Sequence, residues 1–170
     1  MLKVIGIIPA RYASSRFPGK PLVDLKGKTM IQRVYEGAKR SKQLSEVIVA
    51  TDDQRIYDDV VRFGGKVMMT LENHPSGTDR CGEVAEAIEG VDVVINIQGD
   101  EPLVDYRQLD TLIEAFKDKS IQIATLGNKE VTLEDIHNPN RIKIVVDDKE
   151  EALYFSRSAI PNFANFNHNT

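Results

Sequence analysis

The sequence is poor in the residues that form covalent cross-links and zinc sites. Its 170 residues include one cysteine, Cys81, three histidines and no tryptophan. A single cysteine excludes an intrachain disulfide, so we expect a protein of the reducing cytoplasm. One cysteine and three scattered histidines also lack the paired spacing of zinc ligands, which argues against a zinc centre.

Long hydrophobic runs and a basic overall charge are missing as well. The first apolar run, Val4–Ala10, is far shorter than the roughly 20 residues that cross a bilayer and lacks the composition of a cleaved signal. The net charge of −4 argues against a nucleic-acid polymer or an anionic membrane as partner, because both favour a basic surface.

The charge is unevenly distributed along the chain. Residues 1–33 carry seven cations and one carboxylate, whereas the remaining residues carry 15 cations and 25 carboxylates. A short basic segment on an acidic chain is typical of a small anionic ligand such as a polyphosphate, although solvated surface lysines give the same count.

Apolar runs rich in β-branched residues alternate with amphipathic helical patterns through most of the chain. The runs are Lys3–Ile8, Val47–Ala50, Lys66–Thr70, Val91–Ile97 and Ile121–Leu126. This alternation predicts a three-layer α/β fold with a mostly parallel, Rossmann-like sheet. The runs Ile142–Asp147 and Ala152–Ser156 instead predict a C-terminal β-hairpin.

We therefore expect a single domain in which residues 1–126 form a βα core and residues 127–161 begin a second part. The tail after residue 161 is polar and shows no periodicity. It predicts a domain truncated at its C-terminus, although a frayed natural terminus has a similar composition.

Ligands of open α/β sheets bind beyond the carboxyl ends of the strands, so the loops there deserve inspection. The first, residues 9–21, mixes small residues with the cations Arg11, Arg16 and Lys20. Small residues let backbone N–H groups approach a ligand, and spaced cations can neutralise phosphates. The loop matches neither the P-loop nor the dinucleotide-binding pattern, and a plain surface loop remains the alternative.

Two further loops carry polar residues that could bind a ligand or cap a helix. In the loop His74–Arg80, Ser76 or Thr78 can act as a helix N-cap, but a cap does not require Arg80. In the loop Gln98–Pro102, carboxylates follow a buried strand, where Mg²⁺ finds the oxygen ligands it prefers. A turn that caps the next helix is the alternative there.

These three loops resemble those of the cytidylyltransferases that make CMP-sugars. Residues 8–21, Ser76–Arg80 and Gln98–Pro102 are similar to signatures of the 3-deoxy-manno-octulosonate (Kdo) cytidylyltransferases. The resemblance implies the nucleotide-diphospho-sugar transferase type of fold, with nucleotide binding in residues 1–126 and the start of the sugar-binding and dimerisation part in residues 127–161. It also implies transfer of CMP from CTP to Kdo for lipopolysaccharide biosynthesis, with release of pyrophosphate, Mg²⁺ as cofactor and a possible homodimer.

The resemblance also implies roles for individual residues. Arg11, Ser14 and Lys20 would face the triphosphate, with the backbone of Pro9 and Ala10 near the base. Further roles implied are nucleotide binding by Ser76 and Arg80, ribose or sugar contact by Gln98, and metal binding by Asp100. Arg11, Lys20 and Asp100 would be the catalytic groups. Because a guanidinium pairs bidentately with a carboxylate and Kdo carries one, we also expect Arg157 to hold the sugar acid.

Members of that family continue for about another third of the chain, where a second aspartate normally joins the metal site. We therefore expect CTP recognition with slow or absent transfer. Three other interpretations stay open: a cytidylyltransferase for another sugar acid, a catalytically incomplete nucleotide-binding module, and a receiver-like phosphoacceptor using Asp52, Asp53 and Asp100. The basic first loop argues against the receiver.

Overall fold

The computed structural model describes residues 2–13 and 17–162. A short 3-10 helix spans Lys20–Leu22. The strands and α-helices are β1 (Val4–Ala10), α1 (Met30–Ala38), β2 (Glu46–Thr51), α2 (Gln54–Arg62), β3 (Lys66–Met69), α3 (Gly77–Glu86), β4 (Val93–Asn96), α4 (Tyr106–Ala115), α5 (Leu133–His137), β5 (Lys143–Val146) and β6 (Ala152–Ser156). Within the described ranges, no helix is long and apolar enough to cross a membrane.

The first four strands form one parallel sheet in the order β3-β2-β1-β4. The chain builds outward from β1 to β3 and then crosses to the other side of β1 to add β4. This reversal of direction makes the gap between β1 and β4 a topological switch point. Loops diverge there at the carboxyl ends of the strands and leave a crevice for a ligand.

Helices cover both faces of this sheet. One face packs against α1, α2 and α4, with Ile8, Val34, Ile56 and Leu109 in its buried cluster. The other face packs against α3 through Ile7, Ile48, Cys81 and Val84. Consecutive residues of a strand point to opposite faces, which explains why the apolar run of β1 is continuous and supplies both clusters. The predicted three-layer, mostly parallel α/β fold is confirmed.

Helix starts in this sheet-bearing part are marked by capping side chains. Thr29, Asp53, Ser76 and Asp105 are the N-caps of α1 to α4, and each side chain accepts a hydrogen bond from a backbone N–H of the first turn. Such a cap satisfies one of the N–H groups that a helix leaves without an internal partner.

The first strand coincides with the apolar run Val4–Ala10 and extends two residues beyond the shorter run Lys3–Ile8. Pro9 and Ala10 continue β1 and pair with Ala50 and Thr51 of β2. Proline cannot donate to a ladder, but β4 pairs only with the earlier part of β1, so Pro9 lies where β1 has a single neighbour. Both residues, expected in the loop, are therefore held rigidly by the sheet.

The fifth parallel strand predicted at Ile121–Leu126 was wrong, since no strand is present there. The alternating apolar residues resemble a half-buried strand, but Ile123 is 91% exposed. A strand needs both a hydrogen-bonding neighbour and a layer that covers its apolar face. The described residues supply neither to this segment.

The chain divides into two compact units, the first reaching Ala124 and the second beginning at Thr125. The second unit contains α5 and the predicted hairpin, which is confirmed. β5 and β6 pair antiparallel, with an irregularity between Val145 and Val146. A capping box, formed by Thr132 and Asp135, starts α5.

Candidate functional site

A cavity of about 330 Å³ opens at the switch point of the first unit. Four short segments line it: residues 9–11 at the end of β1, residues 20–21, residues 75–77 at the start of α3, and residues 98–100 after β4. All three loops singled out from the sequence therefore meet at one place. The volume lies in the range of small-molecule sites.

Most of the predicted nucleotide-site residues line this cavity. They are Pro9, Ala10, Arg11, Lys20, Ser76, Gln98 and Asp100. The other predicted residues are Ser14, Arg80 and Arg157. Ser14 falls outside the described residues, and Arg157 belongs to the second unit, where its guanidinium donates to the carbonyl oxygen of Pro139 at 3.2 Å.

Arg11 ties two of the lining segments together. Its Nη2 atom donates a hydrogen bond to the backbone carbonyl of His74. The imidazole of His74 in turn contacts the carboxylate of Glu83 on α3, and this contact lowers the pKa of Glu83 below its usual range. His74 thus anchors the segment before α3 through both its backbone and its ring.

Lys20 and Asp100 face each other across the cavity. The Nζ atom of Lys20 lies 2.6 Å from Oδ2 of Asp100, and the two side chains are 36% and 54% exposed. Ion pairs at such exposure contribute only about 0.2–1 kcal/mol. Because this pair is weak, an incoming phosphate or metal ion can compete for either partner.

The start of α3 forms one wall of the cavity. Ser76 is the N-cap, and its hydroxyl both accepts from the backbone N–H of Asp79 at 3.2 Å and donates to the Asp79 carboxylate at 2.5 Å. Gly77 lies against Pro9, since a Cβ there would be 3.2 Å from the proline Cγ. The positive end of the α3 dipole therefore lies at the cavity, with the Asp79 carboxylate beside it.

The structure places Arg80 under the cavity rather than in it. Its side chain is fully buried, with Nη2 donating to Oδ2 of Asp52 at 2.8 Å and Nη1 donating to the hydroxyl of Thr70. Its Nε has no hydrogen-bond partner among the described residues. Arg80 thus fastens the first turn of α3 to the residues that follow β2 and β3.

The sequence reasoning assigned no role to Gly99 and did not pair Asp52 with Arg80. A Cβ at Gly99 would lie 2.8 Å from the carbonyl oxygen of Pro9, so only glycine lets the loop after β4 approach the end of β1 this closely. A glycine directly after a buried strand was an available signal for such an approach. The partnership of Asp52 with Arg80 had none, because the two residues are 28 positions apart.

A second cavity of about 340 Å³ is lined by Arg40 and residues 103–107, and its two arginines already interact with neighbouring side chains. The charge of Arg107 is paired with Asp105 at 2.5 Å, which lowers the pKa of Asp105 to about 2. The guanidinium of Arg40 stacks over the ring of Tyr106 at 4.6 Å. The partners of both cations, Asp105 and Tyr106, line the same cavity.

Cys81 does not supply a nucleophile. Burial raises the pKa of its thiol to about 11, so the sulfur is protonated at neutral pH, and only the thiolate is reactive. This agrees with its place in the core between α3 and the sheet.

A parallel sheet with a basic loop and a carboxylate at its switch point is the arrangement of a nucleotide-binding α/β fold. The fold recurs in a 4-diphosphocytidyl-2C-methyl-D-erythritol synthase from Anaerococcus prevotii, with a TM-score of 0.56 and 16% identity over 90% of this chain and 64% of that one. Within this class, the chain belongs to the cytidylyltransferase family, whose model matches residues 5–170.

Several relatives are much more similar. The 3-deoxy-manno-octulosonate cytidylyltransferases of Parabacteroides distasonis and Fusobacterium nucleatum are 54% and 52% identical over 95% and 94% of the chain. A solved CMP:2-keto-3-deoxy-manno-octonic acid synthetase in complex with CTP superposes with a TM-score of 0.91 at 47% identity, over 96% of this chain and 67% of that one. The chain spans 65% of the length of each of the two curated relatives.

Proposed function

We propose that this chain serves cytidylyl transfer from CTP to Kdo, giving CMP-Kdo and pyrophosphate. One observation carries the proposal: Arg11, Lys20 and Asp100 converge on a single cavity at the switch point. The similarity to a synthetase solved with CTP supports the choice of nucleotide, and the named relatives support the choice of sugar.

In the proposed reaction, the anomeric hydroxyl of Kdo attacks the α-phosphorus of CTP. A new oxygen–phosphorus bond forms as the bond from the α-phosphorus to the bridging oxygen breaks, the proton of the hydroxyl passes to water, and pyrophosphate leaves. Such transfers depend on positioning and charge neutralisation rather than on a covalent nucleophile. Arg11 and Lys20 supply positive charge for the triphosphate and the departing pyrophosphate.

Asp100 suits Mg²⁺, the cofactor that the family resemblance implies. Its carboxylate is half exposed at the cavity, and Mg²⁺ is commonly bound through one or two carboxylates together with substrate phosphates. When bound, the ion offsets negative charge on the phosphates. Lys20, which holds the Asp100 carboxylate in this structure, is then free to bind a phosphate oxygen.

The remaining assignments concern the sugar and the assembly. We propose that Arg157 and Gln98 contact Kdo. We also propose that the protein takes part in lipopolysaccharide biosynthesis, as the family resemblance implies. A close sugar acid in place of Kdo is the second candidate, and competition between the two acids in a transfer assay distinguishes them. A homodimer stays a prediction that sedimentation equilibrium tests.

Calorimetric titration with CTP, ATP and GTP, each with and without Mg²⁺, tests the nucleotide assignment. The three nucleotides share a triphosphate, so their difference isolates the contribution of the base. We expect CTP to bind at least about tenfold more tightly than ATP or GTP, a gap of roughly 1.4 kcal/mol, and Mg²⁺ to strengthen its binding. Equal affinities for the three nucleotides would sink the proposal.

Two variants show whether the binding occurs at this cavity. Lys20→Gln removes the charge at the cavity and should weaken CTP, whereas Lys129→Gln removes a lysine of the second unit whose partner is Glu150. We expect the second variant to bind CTP like the parent protein. If both variants leave CTP affinity unchanged, the nucleotide binds elsewhere.

A further inference from the structure

Tyr12 lies at the base of the first loop, between the two cations that the proposed function assigns to the triphosphate. Its carbonyl oxygen accepts a hydrogen bond from the backbone N–H of Gly19 at 2.9 Å. Arg11 immediately precedes Tyr12, and Lys20 immediately follows Gly19. This one backbone bond therefore closes the loop beside both cations.

The ring of Tyr12 reinforces that closure. A Cβ at Gly19 would lie 3.1 Å from two ring carbons of Tyr12, so the ring rests directly on the glycine backbone. Gly19 has a φ of 73°, a conformation that favours glycine, and it is the N-cap of the 3-10 helix that begins with Lys20. The position of Lys20 is thus set by a residue in contact with the ring.

Arg55 covers the ring of Tyr12. The guanidinium carbon of Arg55 is 3.2 Å from the ring centroid. Two hydrogen bonds hold this guanidinium on Asp53, from Nε at 2.9 Å and from Nη2 at 2.6 Å, and they keep the pKa of that carboxyl below its usual range. Asp53 is the N-cap of α2, so the stack is anchored to the sheet-bearing unit.

We propose that Tyr12 is a positioning residue whose ring, held between Gly19 and Arg55, sets the spacing of Arg11 and Lys20 for a triphosphate. This inference rests on the proposed function, which assigns those two cations to CTP. It goes further by giving a role to an aromatic side chain that does not line the cavity. A cation over an aromatic ring is itself attracted by the ring, so the stack is favourable without ligand.

The role predicts a selective defect, since the cations bind phosphates and not the base. Calorimetry of Tyr12→Ala should show CTP binding weakened about tenfold or more, because the loss of one hydrogen bond between charged groups has an effect of that order or larger. CMP, which lacks the β- and γ-phosphates, makes fewer such bonds and should lose less than about twofold. Tyr12→Phe keeps the ring and should restore the CTP-to-CMP affinity ratio of the parent protein.

Arg55→Ala tests the same stack from an exposed position, so the inference stays testable if Tyr12→Ala does not fold. We expect about a two- to fivefold loss of CTP affinity, in line with the strength of exposed cation–π contacts. Arg107→Ala is a matched control, because Arg107 pairs with the N-cap of α4 as Arg55 pairs with that of α2. It should leave both affinities unchanged.

The outcomes separate the two proposals. If the parent protein shows no preference for CTP, the proposed function fails. If the parent prefers CTP but Tyr12→Ala and Arg55→Ala leave its affinity unchanged, or weaken CTP and CMP equally, only the positioning role of Tyr12 is overturned.

Discussion

Replacing Arg80 by methionine is expected to lower the free energy of unfolding by about 3–5 kcal/mol, the usual cost of removing one partner from a buried ion pair. Methionine keeps much of the aliphatic volume but leaves the Asp52 carboxylate, which is 14% exposed, without its cation. The hydroxyl of Thr70 loses its donor as well. Small domains have about 5–15 kcal/mol of stability in total, so the effect is large.

A double-mutant cycle identifies the cause of that loss. Asp52→Asn in the Arg80→Met background removes the unpaired charge, so it should recover most of the stability, as removing both partners of a buried pair often does. Urea unfolding of the parent, the two single variants and the double variant gives the coupling energy. Additive losses in the cycle would contradict a direct pair.

Arg80 also shows where sequence reasoning about the site reached its limit. The pattern around Ser76 and Arg80 indicated that an N-cap explains Ser76 but not Arg80, and the structure gives Ser76 that cap role. Arg80 instead pairs with the carboxylate of Asp52, which directly follows β2. Tertiary packing brings these two positions together, and no local spacing encodes such a contact.

The strands and the position of the cavity could be predicted from the sequence. A parallel sheet follows from apolar runs that alternate with amphipathic helices, and the carboxyl ends of parallel strands lie at one edge of the sheet. Loops that start at those ends must therefore meet, as Lys20 and Asp100 do at 2.6 Å. The pairing of these two side chains in the absence of ligand was not predictable, since each was assigned to a ligand.

The predicted strand at Ile121–Leu126 is absent although its local sequence pattern is that of a strand. Its local pattern was sound, but a strand exists only when a neighbour completes its hydrogen bonds, and the described residues provide none. β6 makes a related point, because Leu153, Tyr154 and Phe155 are each at least half exposed although the hairpin itself forms. Alternation predicts which residues share a face, and packing decides whether that face is covered.

Gly99→Ala is expected to weaken CTP binding about tenfold or more and to lower the free energy of unfolding by about 1–3 kcal/mol. The added Cβ would lie 2.8 Å from the carbonyl oxygen of Pro9 and 3.4 Å from Cγ2 of Ile8. Both neighbours belong to β1 and pair with β2, so the loop after β4 has to move instead. Gln98 and Asp100 move with it and widen the cavity.

Gly82→Ala is the control for the loss of a glycine as such. Gly82 lies inside α3, where an added Cβ meets nothing within 4 Å. Alanine there should raise the free energy of unfolding by about 0.5–1 kcal/mol, because it restricts the unfolded chain and favours the helix. CTP affinity should stay at the parent value. The expected result is a lower free energy of unfolding for Gly99→Ala, a higher one for Gly82→Ala, and weaker CTP binding for Gly99→Ala alone. This result would show that close contact between β1 and the loop after β4 shapes the cavity. Unchanged CTP binding in Gly99→Ala would mean that the cavity tolerates the displaced loop and that Asp100 is not needed at its present position.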